Sequence, residues 1–165
     1  LDSHTLDVAR FLFGEARDLT CWTGRVHSDV RGEDHATIVM RMGEQSIPVV
    51  IRMAYAENFL ERECFPQTLF FIEGAQGSIE LAPDYVIRIT TKAGTSVERV
   101  PPTPYSWVDP RYAVVQSSIV GCNAHFLAAF RGAVSVETTG EDNLQTVRLV
   151  HAAYESSRVE QTIKL

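Results

Sequence analysis

Three times in the middle of the chain a run of strand-like residues breaks at a turn signal and resumes, and this succession constrains the fold more than any other feature. Residues 34–42 alternate small or polar with apolar side chains, Gly43-Glu44-Gln45 offers a turn, and residues 47–55 alternate again through Val50, Arg52 and Ala54. A short apolar run at 68–73 reverses at Gly74-Ala75-Gln76-Gly77 into 78–81, and 85–91 answers 96–100 across Ala93-Gly94. Residues 18–26, rich in Thr, Trp and Val, read as one more strand. Short reversals join antiparallel neighbours, so the centre of the molecule is expected to be largely antiparallel sheet.

Helical periodicity flanks these strands. Residues 3–14 place Leu6, Ala9 and Phe13, with Val8 and Leu12, on a wide apolar face, with Ser3 or Asp2 as cap and Gly14 as terminator. Pro101, Pro102 and Pro104 hold Tyr105-Ser106-Trp107 in an extended loop, since a residue before proline is pushed out of the helical region. From about 111 to 131, Val115, Ile119, Cys122, Phe126 and Ala129 recur at helical spacing, ending at Gly132. Thr139-Gly140-Glu141-Asp142 carries the side chains of a capping box, and Leu144, Val147, Val150 or His151, and Tyr154 continue the stripe toward a last strand at 161–165. Helix, strands, two helices and strand in that order define an α+β fold: an open, mostly antiparallel mixed sheet with helices covering one face. Thr37, Val39, Arg41, Val50, Arg52, Phe70 and Ile72 would line the other face and are not uniformly charged, so that face is expected to serve oligomerisation, as a homodimer or homotetramer.

With 165 residues, 45% of them hydrophobic, the chain can bury a core and reads as a single domain over 1–165. A net charge of −6 argues against nucleic acid, which demands a clustered basic surface. No stretch approaches the roughly 18 unbroken apolar residues of a membrane span, so no membrane partner is expected. Cys21, Cys64 and Cys122 form no Cys-x-x-Cys pair and read as reduced core thiols in a cytoplasmic setting. His27, Glu33, Asp34 and His35 lie in a charged loop that reads as solvated, and no metal is expected. His125 sits beside its helix's apolar stripe and reads as structural.

His4 is the strongest chemical candidate. The positive end of a helix dipole disfavours a protonated imidazole, and a neutral imidazole fixed by packed backbone can act as a general base. A cap this close to the first residue also suggests a piece of something larger.

The runs His4-Thr5-Leu6-Asp7-Val8-Ala9-Arg10-Phe11-Leu12-Phe13-Gly14-Glu15, Gly32-Glu33-Asp34, Gly74-Ala75-Gln76-Gly77-Ser78-Ile79-Glu80-Leu81, His125-Phe126, Thr138-Thr139-Gly140-Glu141-Asp142-Asn143 and Ala152-Ala153-Tyr154-Glu155-Ser156 together resemble the C-terminal domain of the glucose-fructose oxidoreductase, inositol dehydrogenase and rhizopine-catabolism (Gfo/Idh/MocA) family. The resemblance implies the substrate-binding and dimerisation half of an oxidoreductase that passes hydride between NAD or NADP and a sugar, inositol or related polyol. It implies His4 as the catalytic residue, and an N-terminal Rossmann domain that binds the cofactor and carries a catalytic lysine. An aspartate one turn ahead of His4 would fall before Leu1, and the 165 residues alone are expected to be inactive. Within the chain no Gly-x-Gly-x-x-Gly follows a strand, so no residue here is assigned to the cofactor. Asp7 can orient the imidazole or a substrate hydroxyl, or stand as a first-turn structural carboxylate. Tyr105 and Trp107 can stack on a sugar ring, or plug a sheet edge or interface. The rival reading is a non-catalytic dimerisation or ligand-sensing module on the same scaffold.

Overall fold

The computed structural model describes residues 3–54, 66 and 68–165. In chain order its elements are α1 (Ser3–Phe13), β1 (Ala16–Gly24), β2 (His35–Met42), β3 (Ile47–Ala54), β4 (Phe70–Gly74), β5 (Gly77–Ala82), β6 (Val86–Thr91), β7 (Gly94–Arg99), α2 (Ala113–Phe130), α3 (Gly140–Val159) and β8 (Ile163–Lys164). They fall into two compact units, Leu1–Phe59 with Thr138–Leu165, and Leu60–Glu137. The α+β class holds, but the strands form two four-stranded sheets, β3-β2-β1-β8 and β4-β5-β6-β7, in which every described pairing is antiparallel. The single face expected to hold Thr37, Val39, Arg41, Val50 and Arg52 with Phe70 and Ile72 is therefore corrected: the first five lie on β2 and β3, the last two on β4.

The first unit carries nearly all of the buried apolar side chains. Ala36, Ile38, Met40 and Met42 of β2 point inward and are buried, while His35, Val39 and Arg41 point out, because successive strand residues face opposite sides. Ile38 stands opposite Cys21 on β1 and Ile51 on β3, and this layer packs on Leu6 and Ala9 of α1 and Leu149, Ala152 and Ala153 of α3. At about 100° per residue, Leu6, Ala9, Arg10 and Phe13 share the inward side of α1. Val8, Phe11 and Leu12 therefore turn outward and are exposed, which narrows the apolar face expected from the sequence. Gly14 closes α1 with a left-handed φ of 81°, its N–H donating to the Arg10 carbonyl at 2.8 Å. Gly43, at the β2–β3 turn, has φ 64°, and a Cβ there would lie 2.6 Å from the Phe13 carbonyl oxygen, so the turn and the end of α1 require glycine. Thr139 caps α3 as expected, its hydroxyl accepting the Asp142 N–H at 3.1 Å.

In the second unit three hairpins form a meander. Gly74 pairs with Gly77 at a tight reversal, and Asp84 and Tyr85 both adopt left-handed backbone between β5 and β6. Ala82 is the one buried hydrophobic residue among those described in this unit, and every residue of β7 is exposed. Helix α2 ends at Gly132, as expected, but buries none of its residues. Two expectations are corrected here. Pro110–Phe130, 21 residues, is long and apolar enough to cross a membrane by length and composition alone. Counting unbroken apolar runs hides this, because Gln116, Ser117, Ser118 and Asn123 are polar but uncharged. Cys122 is exposed on α2 and is not a core thiol; Cys21 is buried as expected, and Cys64 lies outside the described residues.

Candidate active site

His4 occupies the first turn of α1, on the side of the helix turned away from the core. Counting along α1 at helical spacing, His4, Val8, Phe11 and Leu12 fall on one outward stripe, in which Phe11 is 83% exposed and Val8 and Leu12 are each 42% exposed. His4 therefore stands at the head of an exposed apolar stripe.

The rest of α1 is tied to α3 by a buried arginine. Arg10 is 7% exposed, and its guanidinium donates to Glu15 at 2.7 and 3.1 Å, to Asp142 at 2.9 Å, to Thr146 at 2.8 Å and to Asp7 at 3.4 Å. Thr146 in turn donates to the same Asp7 oxygen at 2.7 Å. Asp7 thus enters the interhelical network through one carboxylate oxygen, with its side chain still 42% exposed. Because Asp7 meets Thr146 and Arg10 meets Asp142, the helices run antiparallel, and His4 stands one turn further toward the C-terminal half of α3.

That half of α3 carries Tyr154, whose hydroxyl donates to the Glu33 carboxylate. The contact pushes the Tyr154 hydroxyl up to about 12 and lowers Glu33, since the carboxylate stabilises the protonated phenol and the phenol stabilises the carboxylate. Beside it, Asp34 anchors the β1–β2 loop: its carboxylate accepts from His27 N–H at 2.6 Å, Val26 N–H at 2.8 and 2.9 Å and the His35 ring at 3.0 Å. The His27 amide above all, then Val26 and His35, holds Asp34 down to about 2 against the opposing effect of burial. A folded-state value below the unfolded carboxylate's means that this stabilisation is complete above the unfolded value near 4 and disappears as pH falls toward 2. Urea midpoints of the wild type and of Asp34→Asn are therefore expected to differ most at pH 6 and to converge between pH 4 and 2; a gap that stays constant would refute the assignment.

In the second unit Tyr105 and Trp107 come together, ring centroids 5.4 Å apart with planes 35° apart, and Trp107 is 66% exposed. The structure thus makes one aromatic surface of the two loop residues read from the sequence. His125 accepts the Glu137 N–H at 3.2 Å, in keeping with its structural reading. Sequence reasoning missed the Arg10 network and the Glu33–Tyr154 pair. An arginine four residues after Leu6 on the inward stripe, with acids at 7 and 15, was the available signal for the first.

A dinucleotide needs a glycine-rich turn leading from a strand into a helix, whose N–H groups take the pyrophosphate. Among the described residues none exists: Gly43, Gly74, Gly77 and Gly94 belong to hairpins, and α2 follows a proline-rich loop. The described residues do not fit such a cofactor.

The antiparallel sheets, with α1 and α3 packed on one of them, define an α+β fold. Residues 1–165 match the family described as Oxidoreductase family, C-terminal alpha/beta domain, and the chain belongs to this Gfo/Idh/MocA family. It is 39% identical over 165 residues to a D-apiose dehydrogenase of Paraburkholderia graminis and 34% identical to one of Rhizobium rhizogenes, covering all of this chain and 44% and 47% of those proteins. The chain therefore spans just under half the length of these relatives. Among solved structures, an oxidoreductase from Agrobacterium radiobacter in complex with NAD+, L-tartaric acid and magnesium superposes with a TM-score of 0.90 at 34% identity, covering 98% of this chain and 47% of that one. Levoglucosan dehydrogenase in complex with NADH shares the fold, with a TM-score of 0.75 at 17% identity over 98% of this chain and 48% of that one.

Proposed function

We infer that this chain supplies the substrate-facing half of an NAD(P)-dependent dehydrogenase acting on a hydroxyl of a sugar, inositol or related polyol, with His4 as the proton acceptor. The observation that carries the reading is His4 itself, on the first turn of α1 and exposed at the head of the Val8, Phe11 and Leu12 stripe. Support for the substrate class comes from two relatives named as D-apiose dehydrogenases, and for the cofactor class from family structures that hold NAD+ or NADH.

In this reading the rest of the protein, a Rossmann domain, would hold the nicotinamide, which would supply the hydride acceptor for the carbinol carbon. His4 holds the substrate hydroxyl through its imidazole nitrogen and takes its proton, so that the carbonyl forms without a high-energy oxocation. Within the second unit taken by itself, the Tyr105–Trp107 pair offers an aromatic face on which a ring can stack. The outward sheet face read from the sequence, on which Val39 and Val50 are exposed, associates with a second copy, because exposed apolar surface of this kind is covered on association. Reduced Cys21 and Cys122 suit a cytoplasmic setting.

A panel of D-apiose, other aldoses and inositols, run with NAD and NADP on the full-length protein, tests this. Cofactor reduction with at least one sugar, by a species that sediments as a dimer or larger, is expected. Inertness toward the whole panel, or a monomer at working concentration, would contradict the corresponding part.

A further inference from the structure

We propose that Arg10 is a positioning residue for His4, setting the axial place and rotation of α1 on α3. The inference rests on the catalytic reading of His4 and adds a residue to it.

The apolar contact between these helices is made largely by small or smooth side chains, Leu6 and Ala9 against Leu149, Ala152 and Ala153. Such a surface resists separation but offers little against sliding, since one residue of slip moves a helix only about 1.5 Å along its axis. Arg10 supplies the missing constraint. Its planar guanidinium donates to Asp142 and Thr146 on α3, to Asp7 one turn back on α1, and to Glu15 just past the end of α1. A rigid fork satisfied in several directions at once fixes both translation and rotation, which a single point charge does not. Asp7 is also held by Thr146 at 2.7 Å, so the turn that follows His4 is pinned from α3 as well. The network lies on the inward side of α1 and His4 on the outward side, so Arg10 acts on chemistry through the helix rather than by touching substrate.

The same guanidinium would serve stability alone if His4 did not depend on where α1 sits, and a double-mutant cycle separates the two roles. In the full-length enzyme, with substrate and cofactor saturating, Arg10→Lys is expected to lower kcat by about ten- to a hundredfold, the scale of an ångström of misplacement. KM for the cofactor should stay within about twofold, since uniform binding is not what is lost. The Arg10→Lys/His4→Ala double variant should be no slower than His4→Ala, because a residue acting through the imidazole has nothing left to position. Asp142→Asn, a milder change at a half-exposed carboxylate, should show the same pattern at smaller amplitude and serves if the Arg10 variant does not fold. Equal fold-losses in the wild-type and His4→Ala backgrounds would overturn the proposal, as would a wild-type kcat in both variants. If His4→Ala itself retains full turnover, the catalytic reading fails first and this inference falls with it.

Discussion

Replacing His4 by alanine in the full-length enzyme is expected to lower kcat by about 10²- to 10⁴-fold, the range for loss of one positioned acid–base group. The substitution should leave the dissociation constants for NAD and NADP unchanged, because no described residue of this chain forms a dinucleotide turn. It should leave the fold intact as well. His4 lies in the first turn of α1 on the outward side, and the core contacts of that helix come from Leu6, Ala9 and Phe13. Steady-state turnover, cofactor titration and a thermal melt on one preparation check all three points. A variant with unchanged turnover would return the chain to the non-catalytic reading, while a variant that lost cofactor affinity would show that the imidazole serves binding instead.

Ile38→Ala is expected to destabilise the protein by about 2–5 kcal/mol, the cost of removing a large buried aliphatic side chain and leaving part of the cavity. Ile38 is fully buried on β2, between Cys21 of β1 and Ile51 of β3 and beneath both helices. The next residue gives the control. Val39 faces the other way, is 37% exposed and stands opposite Thr20 and Val50, so Val39→Ala should cost well under about 1 kcal/mol in the isolated subunit. Urea unfolding of the two variants compares adjacent residues of one strand. Similar losses would mean that the strand faces were assigned wrongly, or that the outer face is itself covered in the assembly. Repeating the Val39 measurement across protein concentrations separates these, since an interface contribution grows with association.

Local signals fixed most of the element order. Alternation and glycine turns located the hairpins of both sheets, the Thr139 cap located the start of α3, and Gly14 and Gly132 ended their helices, because each of these choices is made by backbone sterics within a few residues. The same local view could not see that the strands divide into two sheets, since pairing is decided by neighbours far along the chain. Nor could it see that α2 buries nothing, as periodicity names an apolar side of a helix without naming what covers it.

For the site, the sequence by itself determined a histidine at a helix start, an aromatic pair in a proline-held loop and a set of short motifs in a family's order. Only tertiary structure decided what joins those motifs. Arg10 and Asp7 of the first motif reach Asp142 and Thr146 of α3, and Glu33 of the loop motif reaches Tyr154, across more than a hundred residues of chain in each case. The physical reason is that a charged side chain declares no partner in one dimension: whether Asp7 meets an arginine depends on which helix packs beside it. Burial sets the requirement, because Arg10 enclosed between two helices must be matched by carboxylates and hydroxyls within hydrogen-bond reach, and Asp7 is one of them.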